Sequence, residues 1–171
     1  VYGSTITTNG ATVSCTNAAV YQFYFRANSN DKIITGTGGT WDVRVRVENA
    51  NLTIDEGCNI TMNNTNNYFY WDGTSKILQA NGSLLGANSR LYINGNNSSI
   101  TTSNSSNCLR AVYFNRNVAG STLDINSNIS ISSSITNSYN GTINFNDFDI
   151  KIGGSINNAQ NGIFNLGNGT V

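Results

Sequence analysis

The chain contains no histidine, no proline and few charged residues. Without histidine it lacks the commonest zinc ligand and the usual general base near neutral pH. Without proline it has no rigid proline-rich stalk. Its 9 basic and 9 acidic side chains give a net charge of zero, which argues against a nucleic-acid partner and against a polybasic membrane-binding patch. There is also no long apolar run, so we expect no membrane insertion.

Cysteine is scarce as well, with Cys15, Cys58 and Cys108 far apart in the chain. They show no CxxC spacing, and three are too few for a disulfide scaffold. We therefore predict no metal site and no cofactor. One disulfide bridge with a free thiol remains an alternative to three buried thiols. We favour three buried thiols, because a repetitive β-fold buries cysteine as a small hydrophobic side chain.

What the chain does contain is short stretches in which apolar and polar residues alternate. In residues 51–62, Leu52, Ile54, Ile60 and Met62 share one side, and a polar turn with a glycine separates the two halves. Alternation predicts strands, because successive side chains of a strand face opposite sides. The pattern recurs at Leu91, Ile93 and Ile100, at Leu123, Ile125, Ile129 and Ile131, at Ile143, Phe145, Ile150 and Ile152, and at Phe164 and Leu166.

The later copies begin about twenty residues apart, which is one circuit of a β-solenoid. We therefore predict an all-β fold over residues 1–171: a single right-handed parallel β-helix domain, either complete or a segment of a longer surface protein. Asparagines in stacked turns would hydrogen-bond along the axis. The alternative is an antiparallel β-sandwich, in which the Asn-Gly pairs at 9–10, 81–82 and 140–141 would form hairpin turns.

Further strands are predicted between the repeats. Residues 41–47 alternate most regularly, with Trp41 and the valines facing inward. Residues 1–15 predict two strands around a turn at Asn9-Gly10, and residues 20–26 and 68–71 predict aromatic strands. A strand that begins at Ile33 is expected to stop in the glycine-rich run 36–39, which we interpret as a flexible turn rather than a calcium-binding roll.

Two pairs of acidic residues are the only candidates for catalysis. A polysaccharide hydrolase needs two carboxylates at a fixed separation across the scissile bond. Only Asp55 with Glu56 and Asp147 with Asp149 lie close together in the chain. Asp147 and Asp149, two apart on a strand, would face the same way, but so would any two polar residues on a solvated face. We therefore predict no catalytic residue, and a lyase or hydrolase stays an alternative.

Aromatic residues on the predicted strands are the candidates for binding. Tyr and Trp that point outward are good anchors for sugars or for a protein partner. The phenylalanines Phe23, Phe25, Phe69 and Phe114 are expected in the core, and the alternative is that the tyrosines only cover that core. The candidate binding residues are Tyr21, Tyr24, Tyr68, Tyr70, Trp71 and Tyr113.

From about Trp41 onward the amino-acid sequence resembles that of a known family. The stretches NLTIDEGCNITMNNTNNYFY, SLLGANSRLYINGNNSSITTS and STLDINSNISISSS are similar to the pectate-lyase-like adhesive domains of Gram-positive surface proteins and to adhesin-like proteins of methanogenic archaea. The resemblance implies a right-handed parallel β-helix without lyase chemistry, displayed outside the cell for adhesion. This chain departs from the pattern in having no sorting signal, no proline-rich stalk and no histidine, and no catalytic residue matches.

The sequence therefore predicts a non-enzymatic extracellular protein, at the cell surface or secreted, that mediates adhesion or forms a coat. Its expected partners are glycans or surface proteins of a host or neighbouring cell. An alternative is a filament subunit that associates end to end, because uncapped β-helices present open strand edges.

Overall fold

A computed structural model describes residues 4–14, 22–25, 31–64, 68–104, 107–116 and 118–171. Within these ranges 18 strands form a right-handed parallel β-helix. Each strand pairing in the described chain is parallel, so the predicted β-helix is confirmed and the antiparallel sandwich is wrong. The part of the chain that the structure describes has no helix long and apolar enough to span a membrane.

The strands form three lateral sheets that run the length of the helix. The first sheet contains β5 (Leu52–Ile54), β8 (Ile77–Ala80), β11 (Ser98–Thr101), β13 (Thr122–Ile125), β15 (Thr142–Asn144) and β18 (Ile163–Asn165). The second contains β6 (Asn59–Thr61), β9 (Ser83–Leu85) and β16 (Ile150–Ile152). The third contains β2 (Gln22–Phe25), β4 (Arg44–Glu48), β7 (Phe69–Asp72), β10 (Leu91–Ile93) and β17 (Ile156–Asn158).

Four longer strands bend around corners and serve two sheets each. The first and second sheets share β1 (Thr5–Ser14) and β3 (Lys32–Asp42). The second and third sheets share β12 (Asn107–Phe114) and β14 (Ile129–Asn137). Residues paired between neighbouring coils lie 20 to 29 positions apart in the chain, so the predicted period of about twenty is the lower limit and the corners vary in length.

The core consists of inward-facing residues stacked in columns along the axis. One column of the third sheet is formed by Val45, Phe69, Leu91, Val112 and Ile135, each paired with the next and each almost completely buried. A residue of this kind contributes about 1.5–3 kcal/mol when its side chain leaves water. Apolar columns therefore hold the coils together.

Alternation predicted the inward residues correctly in the most regular strand. Trp41, Val43, Val45 and Val47 are buried, and the residues between them are partly exposed. The strands predicted within residues 51–62 are β5 and β6.

The predicted interruptions at glycine are wrong. β3 continues through the run 36–39, and β1 continues through Asn9-Gly10 with only a shift of register. Gly38 and Gly39 have φ of 85° and 151°, and a Cβ on either would collide with a backbone oxygen of the neighbouring coil. The run is therefore a tight corner within a strand, where only glycine lets the coils approach.

Asparagine side chains link the corners of successive coils, as the sequence predicts. Asn115 Nδ2 donates to Asn94 Oδ1 at 3.1 Å, and Asn146 Nδ2 donates to Asn126 Oδ1 at 2.9 Å. Asparagine also provides three of the five non-glycine residues with positive φ in the described chain. Its short amide tolerates this conformation better than other side chains do.

The two described cysteines, Cys58 and Cys108, are free and buried, and Cys15 lies outside the described residues. Burial raises the pKa of both thiols. The prediction of buried thiols is confirmed for these two residues, which act as small apolar side chains.

Ile100 and Ile77 test the assignment of inward and outward sides within one sheet. Ile100 is 0 % exposed and Ile77 is 48 % exposed. We expect Ile100→Ala to lower the free energy of unfolding by about 2–5 kcal/mol, because it leaves a cavity in a packed column. Ile77→Ala, the matched control, should change it by less than about 0.5 kcal/mol. Denaturant unfolding followed by circular dichroism measures both, and equal effects would contradict the register.

Candidate binding face

The outward side of the third sheet carries a row of tyrosines. Three strands contain a tyrosine between two buried apolar residues, so each of these tyrosines must point outward. The triplets are Phe69-Tyr70-Trp71, Leu91-Tyr92-Ile93 and Val112-Tyr113-Phe114. Parallel register pairs Tyr70 with Tyr92 and Tyr92 with Tyr113. We call the outward side of this sheet the tyrosine face.

Four rings on this face contact one another and form a continuous ridge. Tyr68 and Tyr70 lie edge to face with ring centroids 4.6 Å apart. Tyr92 lies 5.4 Å from Tyr68 and 5.2 Å from Tyr70. Tyr92 and Tyr113 are stacked, with centroids 4.9 Å apart. All four side chains are partly exposed. We refer to these four residues as the tyrosine ridge.

Arginines extend the ridge toward the first coils. The Arg44 guanidinium lies 4.5 Å from the centre of the Tyr68 ring, a cation–π distance. Arg46 lies 5.5 Å from the Tyr24 ring centre and donates to the Tyr24 hydroxyl at 3.2 Å. Arg46 also forms an ion pair with Glu48 at 2.9 Å. The face therefore combines aromatic rings with oriented guanidinium groups.

The environment of the ridge shifts the pKa of Tyr70. Partial burial raises the pKa of Tyr70, and the neighbouring Tyr68 and Tyr92 hydroxyls raise it further, while Arg44 opposes the shift. The neutral phenol is therefore favoured, and the hydroxyl remains a hydrogen-bond donor at high pH.

Two polar clefts border the tyrosine face at its two edges. The serine cleft, about 160 Å³ in volume, is lined by Arg90, Arg110, Tyr113, Ser133 and Ser134 among others. The asparagine cleft, about 460 Å³ in volume, is lined by Arg46, Asp72, Asn94, Asn115 and Arg116 among others. Each cleft thus places two arginines beside the aromatic surface.

The structure places Tyr24, Tyr68, Tyr70 and Tyr113 together on this face, as outward-facing candidates should be. The prediction that Trp71 is an outward-facing binding residue is wrong. Its side chain is completely buried, and its Nε1 donates to the Ala50 carbonyl at 2.9 Å. Tyr21 lies outside the described residues.

The sequence analysis missed Tyr92, which contacts the other three tyrosines of the ridge. The triplet of apolar residue, tyrosine and apolar residue, repeated at the spacing of one coil, would have identified it. Among the predicted core phenylalanines, Phe69 and Phe114 are buried and Phe23 packs partly buried against the core. The Phe25 side chain lies outside the described residues.

Of the candidate acids, Asp147 and Asp149 accept hydrogen bonds from the next coil. Asp147 Oδ1 accepts hydrogen bonds from the backbone nitrogen and the Nδ2 of Asn168, both at 3.0 Å. Asp149 Oδ1 accepts from the backbone nitrogen of Thr170 at 2.9 Å. Among the described residues, no three His, Cys, Asp or Glu side chains gather into a metal-binding group. Both carboxylates therefore have a structural role in the last coils.

Comparison of the chain with protein-family models, with curated proteins and with solved structures gives no match. Its function is therefore argued from its own geometry.

The tyrosine ridge predicts a specific alkaline titration. Because the folded pKa of Tyr70 is raised, the stability linked to this phenol is present below the ordinary tyrosine pKa and is lost as the pH rises through the folded pKa. We expect Tyr70→Phe to remove a step above the ordinary tyrosine pKa from the tyrosinate absorbance of the native protein. Tyr139→Phe, the control, should retain that step. Superimposable curves for the two variants would contradict the environment assigned to Tyr70.

Proposed function

We propose that this chain is a non-catalytic β-solenoid adhesion domain that binds glycans through its tyrosine face. The observation that carries the proposal is the tyrosine ridge, in which four partly exposed rings contact one another across three coils. Monomeric proteins seldom expose contiguous aromatic surface without a binding role.

The geometry of the ridge suits an extended ligand that runs along the solenoid axis. The register places a tyrosine at the same position of three successive coils, and successive centroids from Tyr70 to Tyr113 are 5.2 Å and 4.9 Å apart. These rings stand on strands locked into a parallel sheet. Little ordering is therefore required when a ligand binds, and such preorganisation favours affinity.

The chemistry around the rings favours a sugar over a purely apolar partner. A sugar presents apolar C–H faces together with hydroxyl groups. Tyrosine rings can cover the C–H faces, and the phenol hydroxyls remain able to form hydrogen bonds. The amides of Asn94 and Asn115 line the asparagine cleft beside the ridge. Convergent polar groups of this kind fix orientation in a binding site.

The proposed setting is extracellular, at a cell surface or in a secreted coat. The resemblance of the repeat to adhesive surface domains supports it.

Tyr92 is the residue whose loss should affect binding most, because it contacts the other three rings of the ridge. On a glycan array, we expect Tyr92→Ala to weaken the strongest signals of the parent protein at least about tenfold, since a central interface tyrosine contributes more than ~1.4 kcal/mol. Titration calorimetry with the best glycan gives the affinity.

Tyr92→Phe, which keeps the ring, and Gln79→Ala, on the first sheet, serve as controls. Gln79→Ala should bind as well as the parent. Tyr92→Phe keeps the ring and loses the hydroxyl, so it should bind less tightly than the parent and more tightly than Tyr92→Ala. Thermal unfolding checks that each variant is folded. If the parent protein binds no glycan on the array, or if Tyr92→Ala binds normally, the proposal is rejected.

The filament alternative can be tested at the exposed end of the described solenoid. In the last coil, the inward-facing Ile156 is 42 % exposed and Leu166 is 46 % exposed. Ile135, which precedes Ile156 in the same column, is completely buried. The strands β16, β17 and β18 each pair on only one edge with described strands. A further coil with the same register would cover these side chains and satisfy these edges.

If whole domains supply that further coil, association should depend on Ile156. We expect light scattering of the parent protein to increase with concentration and Ile156→Lys to abolish the increase, because a buried unpaired ammonium is costly. Ile77→Lys, which changes an equally exposed isoleucine on a lateral face, should leave it intact. A parent protein that stays monomeric at all concentrations would exclude the filament.

A further inference from the structure

We propose that the serine cleft binds an anionic substituent of the glycan, so that the tyrosine face recognises an acidic polysaccharide. This inference rests on the proposed function and adds the chemical class of the ligand. It is carried by the placement of Arg90 and Arg110 in the serine cleft, since the proposed binding of a glycan to the tyrosine ridge assigns these arginines no role.

The serine cleft is formed by groups that donate hydrogen bonds. Arg110 is held in place because its Nε donates to the Ala87 carbonyl at 2.8 Å. The end of its planar guanidinium, formed by the two terminal nitrogens, is a further pair of donors. Arg90, Ser133 and Ser134 line the same cleft. No described residue that lines it carries a carboxylate. Guanidinium groups bind carboxylate or sulfate through paired, charge-assisted hydrogen bonds.

The cleft is continuous with the tyrosine ridge. Tyr113 lines the cleft and also stacks on Tyr92 in the ridge. A sugar ring placed on Tyr113 would therefore have a substituent within reach of the two arginines of the cleft. The ring and the charge of one sugar unit would be recognised by neighbouring parts of a single surface.

Charge is unevenly distributed although the whole chain is neutral. The described arginines all lie on the tyrosine face or at its edges, whereas Asp42, Glu48 and Asp72 are the carboxylates there. The other described acids lie on the first sheet or in the turns beside it. These are Asp31, Asp55, Glu56, Asp124, Asp147 and Asp149. A positive face of this kind is complementary to an anionic ligand.

Pairs of polymers that share a backbone, one with neutral and one with anionic substituents, provide the probes. Dextran is compared with dextran sulfate, and hydroxyethyl cellulose with carboxymethyl cellulose, by titration calorimetry with the full chain. We expect the parent protein to bind each anionic polymer at least about tenfold more tightly than its neutral counterpart, because one bidentate charged contact is worth more than ~1.4 kcal/mol. Added salt should reduce this preference.

The double variant Arg90→Gln/Arg110→Gln should lose the preference for anionic polymers and keep the binding of neutral ones. Lys76→Gln/Lys151→Gln removes the same formal charge away from the tyrosine face and should keep the preference. The single variant Arg90→Gln gives the same test, with a smaller loss, if thermal unfolding shows that the double variant does not fold.

Each further outcome overturns a specific statement. Equal binding of neutral and anionic polymers would overturn the inference and leave the proposed function standing. An anion preference that the double arginine variant retains would also overturn it. Binding of a single-stranded oligothymidylate as tight as that of the sulfated polymer would replace the glycan with a nucleic acid. Absence of binding to every polymer here and to every glycan on the array would overturn both proposals.

Discussion

In-register parallel pairing between coils is the constraint on which the other features of this protein depend. Each residue of a strand is matched with the residue one circuit away, as in Val45 with Phe69 and Phe69 with Leu91. Strands held this way are about 4.8 Å apart, so side chains of one column touch. A residue type that repeats at coil spacing therefore becomes a continuous apolar column, an amide ladder or an aromatic ridge.

Asn137 shows how strongly the pairing determines the environment of a side chain. It occupies the inward column that contains Trp71 and Phe114, and it is completely buried. Burial of an amide without hydrogen bonds would cost several kcal/mol. Its Nδ2, however, donates to the carbonyls of Gly141 at 2.7 Å and Ile163 at 3.2 Å. The corner turn and the next coil thus accept the amide protons, whereas the buried Oδ1 has no hydrogen-bond partner among the described residues.

Much of the fold could be predicted from the sequence, because alternation and period are local properties. The site was less predictable, because it depends on which side of each strand faces the core and on how the chain turns between sheets. In Tyr68-Phe69-Tyr70-Trp71 both sides of the strand are aromatic, and only pairing with Val45 and Leu91 shows that Phe69 and Trp71 face inward. Arg90 and Arg110 line the same cleft, and a spacing between coils of 20 to 29 residues obscures which residues face each other at a corner.

The zero net charge of the chain restricts how an acidic ligand could be recognised. Long-range attraction is weak for a neutral protein, and at physiological salt it decays over about 8 Å. Selectivity for anions would therefore have to arise from short-range contacts with oriented groups such as Arg110, whose Nε is held by Ala87. Short-range contacts gain strength by repetition, since a polymer bound at one coil is already concentrated near the next. A ridge of tyrosines that continues over three coils is suited to binding a polymer through repeated contacts.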